Sequence, residues 1–163
     1  MFERRFAKQS GMVTLHARNV AKELGSPVVE AEHFLLALTG PAAGPARAVL
    51  EDAGLDRDAV QAALDGERDK SLAAVGVSAD SFDLPDKPAP YPRTPGWGTS
   101  GKAVLERASK EAVGRGEKSI KPAHILLGVL RAEAGTVPRT LEVAGVDRKQ
   151  LVKTIHDKLD AAA

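Results

Sequence analysis

A chain of 163 residues with 43% hydrophobic residues can bury one core, and an aromatic content of only 4% points to helices packed through alanine, leucine and valine. Twenty-three basic residues against 22 acidic ones leave a net charge of +1, which supplies no general attraction to nucleic acid or to an anionic membrane. The absence of cysteine excludes a disulfide framework, a thiolate nucleophile and a cysteine zinc site, and no run approaches the roughly 18 apolar residues of a membrane span, so the expectation is a soluble cytoplasmic protein.

The spacing predicts a first helix from Glu3 to Leu24, with Phe2, Phe6, Val13, Ala17, Val20, Ala21 and Leu24 as its apolar positions. Met1 to Lys8 holds no apolar signal core. Gly25 is placed to cap this helix at its C-terminus, while Gly11 weakens its early turns. A short extended link, Ser26 to Val29, leads to a strongly apolar helix from Glu30 to Leu38. The first-turn acids Glu30 and Glu32 complement its dipole. Gly40 to Pro45 ends it. A third helix, Ala46 to Ala53, stops at Gly54. A fourth starts from Asp56 as N-cap, ends near Asp65 and buries Val60, Ala63 and Leu64. Residues 67–97 carry half of the chain's ten prolines and no helical period after Ala79. That marks a long functional, mobile or linking segment, with a β-hairpin poorly supported.

The chain then repeats itself. Glu32-His33-Phe34-Leu35-Leu36-Ala37-Leu38 recurs as Ala123-His124-Ile125-Leu126-Leu127-Gly128-Val129, so the two histidines stand 91 residues apart. The same offset aligns Val13, Ala17, Ala21 and Gly25 with Val104, Ala108, Ala112 and Gly116. It also aligns Leu50, Glu51, Ala53, Gly54, Asp56 and Arg57 with Leu141, Glu142, Ala144, Gly145, Asp147 and Arg148. About 15 identities fall in about 54 ungapped positions, in the same order of glycine stops and apolar stripes. The expected fold is all-α: eight helices in two pseudo-symmetric four-helix repeats (1–66 and 98–161), each covering the other's apolar face. The tail from Asp160 to Ala163 is expected to fray.

Little of this carries chemistry. His33 and His124 would need further ligands at metal spacing, such as a second histidine at i+4. Their surroundings also differ, with Glu30 and Glu32 beside one and Ala123 and Pro122 beside the other. The favoured reading is an imidazole hydrogen-bonded near the start of a buried helix. His16 and His156 are read as solvent-facing. Gly96-Trp97-Gly98-Thr99-Ser100-Gly101-Lys102 lacks the spacing of a phosphate loop, and Thr99 and Ser100 are read as caps of the helix beside them. Ser10 and Ser109 have no histidine and aspartate partners that would mark a nucleophile. A helix-turn-helix is weighed because Lys118 and Lys121 precede a short helix. Yet Ile125 to Leu130 is almost wholly apolar, where a recognition helix needs polar side chains. No cofactor and no metal are expected, and neither nucleic acid nor membrane is an expected partner.

Met1-Phe2-Glu3-Arg4, the Val13/Ala17/Ala21/Gly25 spacing, Glu32-His33-Phe34-Leu35-Leu36-Ala37-Leu38 and Leu50-x-x-Ala53-Gly54 together resemble the Clp N-terminal repeat domain of AAA+ unfoldases, especially of the ClpC type. The resemblance covers both repeats. It implies an all-α domain of eight helices that docks adaptors, substrates or a ClpC-type unfoldase and its protease complex without catalysing a reaction. It implies an apolar contact surface at the start of helix one and in the inter-repeat segment, which receives adaptors and certain cyclic-peptide antibiotics. Phe2, Phe6, Val13 and Trp97 fall on it, and the aromatics either anchor a partner or pack on their own domain. It further implies phosphoarginine pockets built from the glutamate before each histidine and a threonine near each repeat's start. Glu32 matches, but Ala7 takes the threonine position, Ala123 replaces the second glutamate, and Thr99 stands one position away. Alanine cannot receive a guanidinium hydrogen bond, so this expectation is confined to Glu32. The long inter-repeat segment and divergent second repeat lead to the expectation of a free-standing protein, one that could serve as a decoy for ligands of the unfoldase. A helical DNA-associated regulator and a hydrolase with an unrecognised site are the other classes.

Overall fold

The computed structural model of the chain describes residues 6–82 and 87–163. Eight α-helices follow in order: α1 (Lys8–Glu23), α2 (Ala31–Ala37), α3 (Pro45–Asp52), α4 (Arg57–Ala74), α5 (Thr99–Gly114), α6 (Pro122–Leu130), α7 (Thr136–Val143) and α8 (Arg148–Ala161). Two strands of two residues, β1 (Val28–Val29) and β2 (Gly96–Trp97), and two short 3-10 turns complete the described elements. The architecture is the expected all-α one, with α1–α4 and α5–α8 as the two repeats.

The apolar helices form the centre. In α2, Phe34, Leu35 and Leu36 have no exposed surface, and in α6 the same holds for Ile125, Leu126, Leu127, Val129 and Leu130. A helix apolar on every side must be covered on every side. Here α2 and α6 pack on each other, α1 covers α2 and α5 covers α6. The covering helices present the small-residue stripe read from the sequence: Val13, Ala17, Val20 and Ala21 on α1, and Val104, Ala108 and Ala112 on α5. Small side chains let the backbones come close. A Cβ at Gly128 of α6 would lie 2.4 Å from the Val104 carbonyl oxygen, whereas α1 leaves room for the Ala37 methyl at the matching position of α2.

The repeats are interleaved. Helix α4 of repeat one packs on α7 of repeat two, and α3 packs on α8. The lead-in to each repeat also pairs with the other repeat. Strand β2, just before α5, runs parallel to β1, with Val28 opposite Gly96 and Val29 opposite Trp97. Phe6, just before α1, forms a parallel bridge with Ile120. These are the same two positions displaced by 91 residues. The amides of Ala7 and Gly98 accordingly donate to the carbonyls of Ile120 (3.0 Å) and Val29 (2.9 Å).

Three local expectations change, and the proline-rich stretch, left open between several readings, takes a definite place. Helix α1 starts at Lys8, because Phe6 and Ala7 are drawn into the bridge with Ile120; residues 3–5 lie outside the described residues. Helix α4 does not end near Asp65 but continues to Ala74. Gly66 is absorbed where Val143 crosses, a Cβ there being 3.1 Å from Val143 Cγ1. One residue on, Glu67 is buried and bonded to Arg139 of α7. The proline-rich stretch from Pro88 to Trp97 is no β-hairpin. It lies back on repeat one, where the Tyr91 amide donates to the Lys22 carbonyl at 2.8 Å before β2 joins β1. Helix α8 runs on to Ala161, with Asp160 bonded to Arg115 at 2.5 Å.

Two glycine substitutions test the close approach of α5. A Cβ at Gly101 would lie 2.1 Å from the Val29 carbonyl oxygen, a rigid backbone atom, while Gly11 of α1 has nothing within 4 Å. Gly101→Ala is expected to destabilise by about 1–3 kcal/mol through overpacking, whereas Gly11→Ala should stabilise by about 0.5–1 kcal/mol through helix propensity. Thermal unfolding followed by circular dichroism checks both; equal shifts of the same sign would show that the approach is not tight.

Candidate functional site

The two histidines do the same structural work. Each is the third residue of its helix, and its Nδ1 accepts the backbone N–H of the residue that precedes the helix: Glu30 for His33 and Lys121 for His124, both at 2.9 Å. This ties off one of the free amides at a helix start. It requires a neutral ring with the proton on Nε2. Burial accordingly pushes His33 down to about 4, against a smaller upward pull from Glu30. His124 is also lowered by burial, partly opposed by the Glu117 carboxylate 3.4 Å from its Nε2. Among the described residues no group of three or more His, Asp or Glu side chains is placed to hold a metal.

The glycine-rich run before α5 forms the closest polar junction between repeats. The Glu30 carboxylate of repeat one caps α5: its Oε2 accepts from the Ser100 amide (2.9 Å), the Ser100 hydroxyl (2.5 Å) and the Gly101 amide (3.4 Å). A carboxylate at a helix N-terminus is favoured by both the free amides and the dipole. Ser100 returns the bond, its Oγ accepting the Ala31 amide at the start of α2 at 2.9 Å. The carboxylate lies over Gly98, where any Cβ would come within 2.1 Å of Glu30 Oε1. Ser100 therefore does not cap its own helix as expected; neither it nor Thr99 stands at the N-cap, which is Gly98. The matching junction at α1 is plainer: Ser10, fully buried, donates its hydroxyl to the Ile120 carbonyl at 2.6 Å.

The residues expected to contact partners are spread over this frame. Phe2 lies outside the described residues. Phe6 is half-buried and packs against the core. Val13 has no exposed surface, so it supports the surface from beneath and touches nothing outside. Trp97 is half-buried, stacked on Phe34 (ring centroids 6.0 Å apart, planes 14° apart) with the Arg18 guanidinium 4.6 Å above its ring. Sequence reasoning missed Met12 and Leu15, which stand 52% and 60% exposed on α1. They are three residues apart and share one helix face. The signal was present as two large apolar residues off the buried stripe.

Glu32 is half-buried, not free in solvent. Burial raises its pKa; a backbone hydrogen bond opposes this, and the nearby charges of Glu30 and Glu67 add to the rise. Glu67 is held below the usual carboxylate range: burial acts upward, but hydrogen bonds from Ser71 (2.5 Å) and Arg139 (2.7 Å) outweigh it. The two acids thus have opposite needs, one supplied with donors and the other pressed toward its neutral form. The helix weighed as a DNA reader, α6, offers nothing to a groove: Ile125 to Leu127, Val129 and Leu130 have no accessible surface. No described helix is long and apolar enough to cross a membrane.

Two measurements probe these junctions. The His33 imidazole ionises at about 4 in the folded state and near 6.5 when unfolded, so the unfolded chain binds the extra proton between those values. Stability should be fully present above pH 6.5 and fall as the pH drops toward 4, by on the order of 3 kcal/mol for this group. Urea titrations from pH 7 to pH 4 measure it, and the fall should shrink in His33→Gln. For the cross-repeat cap, a double-mutant cycle on Glu30→Gln and Ser100→Ala should give a coupling energy of about 1–2 kcal/mol; independent effects would mean that the two helix starts are not joined.

Comparison with known proteins places this architecture. The chain matches the Clp repeat (R) N-terminal domain family over residues 5–83 and 99–163, one stretch for each repeat. It is 30% identical over 165 residues to the chloroplastic chaperone protein ClpC of Pisum sativum, with 99% of this chain and 16% of that protein covered. The chain thus spans about a sixth of the length of such relatives. The crystal structure of the N-terminal domain of the caseinolytic protease associated chaperone ClpD from Arabidopsis thaliana superposes with a TM-score of 0.66 at 21% identity, covering 98% of this chain and 99% of that one. The N-terminal domain of the ClpV1 ATPase from E. coli superposes with a TM-score of 0.61 at 20% identity, covering 98% and 88%. With both repeats matched, the eight helices in their expected order and the fold shared with these domains, the chain belongs to the Clp repeat N-terminal domain family.

Proposed function

We propose that this chain is a non-catalytic docking domain that binds adaptors, degradation substrates or a ClpC-type unfoldase partner in regulated proteolysis. The observation that carries the reading is the pair Met12 and Leu15, large apolar side chains held out to solvent on the regular helix α1. Rigid exposed apolar residues are what an interface buries. Trp97, with one side on Phe34 and Arg18 over its ring, sets an aromatic at the junction between repeats, and Phe2 belongs to the same proposed surface on the family resemblance alone. Cyclic-peptide antibiotics that target unfoldases would meet the same surface, which makes the domain a decoy for them.

Glu32 is the proposed phosphoarginine contact. Its support is electrostatic: a half-buried carboxyl pressed upward by burial, Glu30 and Glu67 gains most from an incoming guanidinium. Ala7 supplies no hydroxyl at the position where the family resemblance places a threonine.

Affinity capture from a lysate with the immobilised chain, beside a Met12→Glu/Leu15→Glu variant, tests the docking role. The chain should retain Clp components or protease substrates, and the variant should lose them. Both positions are solvent-facing, so the variant should unfold at nearly the same temperature. Capture unchanged by the double substitution, or none of these proteins captured, would overturn the assignment.

A further inference from the structure

The proline-rich segment shows what one surface of this fold can hold. In repeat one, Pro88 to Tyr91 lies across the C-terminal end of α1 and the link that follows. The Tyr91 amide donates to the Lys22 carbonyl at 2.8 Å, and farther along the Gly96 amide donates to Pro27 at 2.9 Å. The contact is close: a Cβ on Gly25 would lie 2.6 Å from the Ala89 carbonyl oxygen and 3.6 Å from Pro88 Cβ. Proline holds such a segment extended before it docks, so little freedom is lost. Tyr91, between Pro90 and Pro92, carries the one backbone N–H in that run of three residues.

Repeat two has the same groove. Displaced by 91 residues, Ala21, Lys22, Gly25 and Val29 become Ala112, Val113, Gly116 and Ile120. Together with Ser109 and Ser119 these residues line an open surface depression of about 410 Å³. No described atom lies within 4 Å of where a Gly116 Cβ would be, in contrast to the crowding at Gly25. Val113 stands 60% exposed on its wall. The Val113 carbonyl corresponds to the Lys22 carbonyl that receives Tyr91. Both carbonyls also hold the amide of their own helix-ending glycine at 3.0 Å. The Lys22 oxygen receives Tyr91 in addition to the amides of its own helix end, and the Val113 oxygen, with the same local bonds, is placed to receive a visiting N–H in the same way.

We propose that this groove binds an extended, proline-containing segment of a partner protein, one in which a non-proline residue between two prolines donates its N–H to the Val113 carbonyl. The chain's own Pro88–Pro92 run is the template for that ligand. The rim residues Glu117 and Lys118 carry opposite charges, so the ligand is chosen by backbone shape and not by net charge. The inference rests on the docking reading but uses a separate surface from Met12 and Leu15. Capture through α1 would survive loss of this groove, and peptide binding here would survive failure of the capture experiment.

A synthetic peptide of residues 87–95, capped at both ends, is the probe. Titrated into the isotope-labelled full chain, it should give saturable NMR shifts at Val113, Gly116 and Ser119. Val113→Glu, an exposed position, should weaken binding roughly tenfold. The same peptide carrying Tyr91→Pro should not bind. Absence of saturable binding, shifts confined to residues 18–29, or binding that appears only after deletion of residues 1–5 would each overturn the proposal. The last would assign the groove to the chain's own N-terminal segment.

Discussion

Everything in this fold depends on the exchange of backbone pairing between the repeats. The segment that leads into each first helix pairs with the link before the other repeat's central helix, Phe6 with Ile120 and Trp97 with Val29. These contacts fix where α1 and α5 begin and bring their small-residue stripes onto α2 and α6. The same seams hold the cap formed by Glu30 and Ser100. An apolar helix such as α6 could not be buried by its own repeat alone, so neither half is a complete core.

The repeats are alike in frame and different in polar detail. Both use a histidine at the third helical position to satisfy the preceding amide. Only repeat one offers a carboxylate to the opposite helix start. At the matching place repeat two has Lys121, whose Nζ is bonded to Glu117 at 2.5 Å within its own repeat. The seam at α5 is therefore closed by a charge on glycine-lined backbone, and the seam at α1 by a serine hydroxyl. The repeats thus differ in polar solution at their seams, while the apolar helices differ at their buried positions only by exchange of one apolar or small residue for another, such as Phe34 for Ile125 and Ala37 for Gly128.

What could be read in the sequence was what is local or periodic. The alanine and valine stripes of α1 and α5, the caps Asp56 and Asp147 and the buried runs of α2 and α6 are encoded within a few residues, and the offset of 91 doubled each signal. What escaped depends on partners far away in the chain. Gly66 reads as a stop because glycine weakens an isolated helix; only the crossing of Val143 and the bond from Glu67 to Arg139 keep α4 going. Ser100 reads as a cap for its own helix because that is its local propensity, whereas its actual partners are 69 and 70 residues away. At the candidate site, Trp97 was visible as a rare residue, but its stack on Phe34 was not, and Val13, legible as part of the apolar stripe, was drawn to the contact surface only by the family resemblance. The proline-rich segment was legible as a long non-helical stretch and not as one seated on repeat one.

The interleaving has one more consequence. A chain of a single repeat would leave a lead-in strand unpaired and an α2 half covered, and both lacks are met by a second copy of the repeat. The arrangement is that of a two-fold dimer whose subunits have become one polypeptide. A self-complementary interface binds each substitution to its mirror image, because the same residue appears on both sides. Fusion lifts that tie. Once the halves share a chain, Glu30 and Lys121 can part company, and one groove can be filled from within while its twin stays open among the described residues.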